Sequence, residues 1–99
     1  MEIKINAVHF DATEKLEAYI EKKVSKLAKH LEEVDHVDVQ LKVVKPQTAL
    51  NKEVSITMPA LGTTLRVEKT CDTFEEAIDH CVDAMKVQME KLKDKRRGE

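Results

Sequence analysis

The chain has no tryptophan, one tyrosine and two phenylalanines in 99 residues. Its core must therefore be aliphatic, and reading nucleic acid by base stacking on aromatic rings is disfavoured. Cysteine is scarce as well, with only Cys71 and Cys81. So few cysteines, without a secretory signal, do not make a disulfide framework. Cys81 falls in an apolar helical stripe, where a free cysteine packs as a small hydrophobe. A metal site from His9, Cys71, His80 and Cys81 lacks any recognised ligand spacing, so no metal and no cofactor are expected. The apolar runs are too short to span a bilayer, and Glu2 and Lys4 interrupt the start where a signal peptide would be apolar. The expectation is a cytoplasmic protein with no membrane partner. Also missing are a Gly-rich phosphate loop, an HExxH motif and a nucleophile–base signature, so an enzyme is not expected.

What is present is 41% hydrophobic and 36% charged residues. That is too apolar for disorder, and the length suits one domain. We expect a single domain over 1–99, with about 96–99 as a flexible tail. No repeat, linker or low-complexity segment divides the chain.

The apolar pattern changes period along the sequence. Residues 2–9 alternate, with Ile3, Ile5 and Ala7 on one side and Lys4 and Asn6 on the other, which is the period of a half-buried strand. Asp11 or Thr13 can cap a following helix, and Glu14 stands at capping-box spacing from Asp11. Leu16, Ile20, Val24, Leu27 and Leu31 then make one helical stripe, predicting a helix over about 12–33. Residues 36–45 alternate again, with Val37, Val39, Leu41 and Val43 inward. Pro46 to Asn51 reads as a loop. Residues 53–58 bring Val54, Ile56 and Met58 inward, residues 59–62 (PALG) read as a turn, and a fourth strand is expected over about 63–70. Asp72 or Thr73 caps a last helix whose stripe is Phe74, Ile78, Cys81, Val82, Met85, Met89 and Leu92. The order is β-α-β-β-β-α, an α+β fold. Its first two strands should be parallel, the others antiparallel, and two roughly parallel helices should pack on one face of a four-stranded mixed sheet.

The formal net charge of −2 conceals an uneven distribution. Lys22, Lys23, Lys26 and Lys29 follow one another without an intervening acid. From Met85 onward, Lys86, Lys91, Lys93, Lys95, Arg96 and Arg97 outnumber three acids. Both helices start acidic and turn basic. Compensation of helix dipoles accounts for that order at about 0.3–1 kcal/mol per exposed charge. It does not require several bases on one face of two neighbouring helices. If the helices are parallel, these portions adjoin as one phosphate-binding patch. Contact with phosphate fits better than base readout, given the missing aromatics.

These features together resemble the short ribosome hibernation-promoting factor and ribosome-associated inhibitor (sigma-54 modulation protein) family. The last helix of that family typically carries an Asp, an aromatic two residues on, Ala-Ile-Asp, a basic stretch around Gln-Leu and then Lys-x-Lys-Asp-Lys. Here the matching residues are Asp72, Phe74, Ala77-Ile78-Asp79, Gln88-Met89 and Lys91-Leu92-Lys93-Asp94-Lys95. The likeness extends from "EIKINAVHFDATEKLEAYI" through "KLAKH" to Lys95. It implies binding to the small (30S) ribosomal subunit in the mRNA and tRNA channel through 16S rRNA, silencing translation in starvation or stationary phase. The ten bases named above would be the rRNA contacts. The family commonly has a base where Ala84 stands and another where Val87 stands, and Lys86 is one position from the latter. The chain ends without the dimerising domain of the long forms, so ribosome dimers would need a second hibernation factor, and the free protein is expected to be monomeric. Two readings compete with this one. One is a protein-interaction module using the exposed sheet face or an edge strand. The other is a double-stranded RNA reader, whose characteristic loop motifs are not evident.

Overall fold

The computed structural model describes residues 2–8, 11–29, 36–44, 51–60 and 62–97, with the backbone alone for 28, 29, 60 and 93–97. Strand β1 (Glu2–Ala7) leads into helix α1 (Glu14–Ser25), which tightens into a 3₁₀ turn at Lys26–Lys29. Strands β2 (His36–Val43), β3 (Lys52–Ala60) and β4 (Thr63–Cys71) precede the long helix α2 (Phe74–Arg97). The sheet order is β1-β2-β3-β4. β1 runs parallel to β2, and β3 is antiparallel to both β2 and β4. The expected element order, mixed sheet and helix pair are therefore observed.

Alternation decides which sheet face is dry. Val37, Val39 and Leu41 on β2, with Val54, Ile56 and Met58 on β3, are all 0–1% exposed. Ile20, Val24 and Leu27 from the first helical segment, and Ile78, Met85 and Met89 from α2, close over them at 0%. The register pairs Val39 with Ile56 and Ile56 with Val67, so one apolar row crosses three strands. Burying each such side chain contributes roughly 1.5–3 kcal/mol. β1 lies at the sheet edge, and its Ile3 and Ile5 are only half-buried.

Several local expectations shift. Thr13, not Asp11, caps α1, its Oγ1 accepting from Leu16 N–H at 3.1 Å. Thr73 caps α2 in the same way, accepting from Glu76 N–H at 3.1 Å. The α-helical part of the first helix ends at Ser25, eight residues short of the expected end. Ser25 Oγ donates back to Lys22 carbonyl at 3.0 Å, a local bond that competes with the helical ladder, and 3₁₀ geometry is common at such ends. Leu31 and the rest of 30–33 lie outside the described residues. β1 ends at Ala7 and β2 at Val43, each two residues before the expected limit.

The expected turn at 59–62 is shorter, because Pro59 belongs to β3 and faces Thr64. The β2 register with β3 runs from Asp38↔Thr57 to Val43↔Lys52, so Pro59 lies past it. A proline there disrupts no ladder bond to β2. Gly62, with φ of +82°, makes the turn, a conformation that costs other residues a steric penalty.

Candidate nucleic-acid interface

The two helices run in the same direction for a topological reason. β1 and β4 both run parallel to β2, and each helix folds back over the sheet after one of those strands. A polar clasp fixes their alignment. Tyr19 Oη donates to Asp79 Oδ1 at 2.7 Å, and Lys23 Nζ stands 3.6 Å from the same oxygen. Lys23 also lies 5.5 Å from the Tyr19 ring centroid, within cation–π range. The bond to Asp79, with some burial, pushes the Tyr19 phenol up to about 12.

This alignment sets which positions of the two helices lie level. Lys23 is level with Asp79. Advancing along α1 and its 3₁₀ turn to Lys29 covers about 11 Å, at 1.5 and 2.0 Å per residue. The same distance along α2 leads to about position 86. Lys29 and Lys86 are therefore level, and α2 continues about 16 Å further to Arg97. Within α2, positions 75, 79, 86, 93 and 97 recur at helical spacing, so they share one face. Among the described side chains, that face carries Glu75 and Asp79 at its start and Lys86 further along. Glu14, Glu17, Glu75 and Glu76 occupy the first turns of the two helices. The parallel pair thus starts acidic, and most of its bases follow later in the sequence of each helix.

The ten expected contact residues are not equivalent. Lys22, Lys26 and Lys91 are exposed, and Lys86 is half-buried. Lys23 is engaged by Asp79 and Tyr19, so part of its role is to clasp the helices. Lys29 closes the 3₁₀ turn, and Lys93, Lys95, Arg96 and Arg97 lie on helical backbone whose side chains fall outside the described residues. Ala84 is half-buried, whereas Val87 is 50% exposed. One residue turns a helix by about 100°, so Lys86 and Val87 leave α2 in different directions.

Sequence reasoning missed the Tyr19–Asp79 clasp, although the (i, i+4) pair Tyr19 and Lys23 was a usable signal. It also missed the detail of the open sheet face, where Gln40, Lys42, Glu53, Ser55, Arg66 and Glu68 line a cleft of about 240 Å³. Arg66 pairs with Glu68 at 3.0 Å. A hydrogen bond from Glu53 to Glu68, with burial and repulsion between the two, raises the Glu53 carboxyl above its usual range. Of the set His9, Cys71, His80 and Cys81, the described residues bring Cys71 and His80 close together, with Glu76. His9 lies outside the described residues, and the Cys81 thiol donates to Val54 carbonyl at 3.3 Å, burial pushing it up to about 12.

Residues 3–97 match the family described as Sigma 54 modulation protein / S30EA ribosomal protein. The chain belongs to this family. It is 28% identical over 93 residues to the ribosome hibernation promotion factor of Lactococcus lactis subsp. cremoris (strain MG1363), covering 94% of this chain. The chain spans about half of that relative's length, 50%. Its fold is similar to the N-terminal domain of Thermus thermophilus Protein Y, at a TM-score of 0.78 and 24% identity, covering 93% of this chain and 99% of that one. A ribosomal subunit interface protein from Coxiella burnetii is similar at a TM-score of 0.81 and 18% identity, with 95% and 99% covered. Likeness at such low identity concerns the fold alone. Among the described residues, no helix is long and apolar enough to cross a membrane.

Proposed function

We propose that this chain is a cytoplasmic ribosome hibernation factor. It binds the small (30S) subunit in the mRNA and tRNA channel through 16S rRNA phosphates, and so silences translation under starvation or in stationary phase. The observation that carries this reading is the clasped, parallel helix pair. One clasp aligns two parallel helices, and in this reading the basic stretches towards their C-terminal ends act together as one phosphate-binding surface. Phosphate contacts supply sequence-independent affinity, while the acidic end disfavours random RNA. Family membership and the hibernation factor among its relatives support the same reading. In this role the protein acts by occupancy and is not an enzyme.

A second reading, a protein-interaction module, draws support from β1. This strand has one unpaired edge, and the polar cleft lies on the same sheet, so an extended peptide could add there. Co-sedimentation of the purified chain with 30S subunits, alongside free duplex RNA, separates the possibilities. The hibernation reading expects 30S-bound protein and weak duplex binding. No co-sedimentation with 30S subunits at low salt would refute it, and preference for the duplex would favour an RNA reader.

A further inference from the structure

We propose that Cys71, Glu76 and His80 form a binding site for a zinc-class divalent cation at the junction of β4 and α2. Their ligand atoms, the Cys71 sulfur, a Glu76 carboxylate oxygen and a His80 ring nitrogen, all lie within 4.8 Å of one another. Around a tetrahedral zinc, with Zn–S near 2.3 Å and Zn–N and Zn–O near 2.0–2.2 Å, such atoms stand roughly 3.3–3.6 Å apart. Closing the group therefore takes a shift of about an ångström, shared between two surface side chains.

The fold supplies the remaining conditions. Cys71 is the last residue of β4, held by its pairing with Lys52. Glu76 and His80 are four apart on α2 and so share a face. The Thr73 cap on Glu76 N–H holds the first turn of the helix in place between them. His80 Nε2 and Glu76 Oε1 are 3.8 Å apart, and their side chains are 56% and 53% exposed. That separation leaves room for an ion between them, and the exposure leaves an entry path and an open coordination position.

The donor set decides the class of metal. One thiolate, one imidazole and one carboxylate suit zinc and its neighbours, whereas magnesium and calcium prefer oxygen ligands alone. On binding, the Cys71 thiol releases its proton to buffer, and His80 coordinates as the neutral ring. The thiolate and the Glu76 carboxylate together balance the two charges of the metal, and water fills the fourth position. The spacing Cys-x4-Glu-x3-His matches none of the common zinc motifs, and only the turn between β4 and α2 brings Cys71 to the helix face. Glu76 and Lys91 are about 22 Å apart along α2, so this site is independent of the basic end.

The test uses the purified full chain, titrated with Zn²⁺ against a competing chromophoric chelator, with Co²⁺ as the spectroscopic probe. We expect a single zinc per chain and a thiolate-to-cobalt charge-transfer band in the near ultraviolet. Glu76→Gln and His80→Gln should each weaken zinc binding by about 10–100-fold, while their metal-free melts match wild type. Cys71→Ser should abolish the cobalt band and Cys81→Ala should retain it. If Cys71→Ser fails to fold, the wild-type and Cys81→Ala spectra still report whether sulfur ligates. Zinc affinity unchanged in both Glu76→Gln and His80→Gln would overturn the site. So would a wild-type cobalt complex without the thiolate band, or no zinc binding at all.

Discussion

Replacing Asp79 with Asn removes the charge that clasps the two helices and leaves the side-chain shape nearly intact. In the wild type, Tyr19 Oη donates to Asp79 at 2.7 Å, and the phenol is raised from 10.0 to about 12. In the Asp79→Asn variant the phenol should titrate close to its ordinary value. The readout is unambiguous, because Tyr19 is the only tyrosine and tryptophan is absent. An ultraviolet titration of the folded protein, with far-ultraviolet circular dichroism confirming that it stays folded, follows the phenolate directly. A hydrogen bond to a charged group contributes about 1.5–3 kcal/mol. This one is partly exposed, so solvent screening reduces the expected contribution to about 1 kcal/mol. The variant should melt about 4–8 °C lower. The sign with pH follows from the raised value. Between pH 10 and about 12 the folded protein keeps a proton that the unfolded chain has lost. The stability difference between wild type and variant should therefore be full below pH 10 and vanish as pH rises through about 12. A wild-type phenol titrating at its ordinary value, or an Asp79→Asn curve superimposed on wild type, would refute the clasp and the helix alignment built on it.

Two further perturbations test other parts of the molecule. Ile78, 0% exposed on the buried face of α2, should cost about 2–5 kcal/mol when changed to Ala, through lost transfer energy and the cavity left behind. A urea melt showing no loss would contradict the register of α2. On the open sheet face, the raised carboxyl of Glu53 makes the folded state hold a proton just above the usual carboxylate range. Its contribution is present at lower pH and lost as pH rises through that raised value. Glu68→Gln should remove this slope and stabilise the protein at neutral pH relative to acid pH, by up to about 1 kcal/mol. Identical pH profiles of stability for variant and wild type would refute the shared proton.

Much of the fold was legible because one apolar face dictates period. The strands alternate wherever a single side is dry, and α2 repeats its stripe from Phe74 to Leu92 without interruption. The misplaced boundaries were those set by competing local chemistry. Ser25 bonding back to Lys22 and Pro59 lying past the β2 register are decided by geometry that periodicity does not encode. The candidate interface was legible as composition, since like charges cluster in the sequence itself. The partition of labour among those bases was not. That Lys23 serves the clasp follows only from the meeting of α1 with Asp79, sixty positions from Tyr19 in the chain. The cluster of Cys71, Glu76 and His80 was hidden for a similar reason, because a strand end and a helix face contribute to it together.

The central claim is that the basic end of the helix pair binds small-subunit rRNA through phosphates, and a salt series on 30S binding tests it most directly. Wild type is compared with the Lys93→Glu/Arg97→Glu double variant, and with Lys42→Glu on the open sheet face as control, at constant Mg²⁺ with subunit integrity checked at each salt. If about five bases neutralise phosphates, the wild-type log–log salt slope should be about −3.5 to −4.5, at −0.7 to −0.9 per contact. The double reversal should weaken binding and flatten the slope while the thermal melt stays nearly unchanged, since exposed charges contribute little to stability. Lys42→Glu should bind nearly as wild type. Equal 30S affinity for wild type and the double reversal would contradict the account and leave the basic end as compensation of helix dipoles.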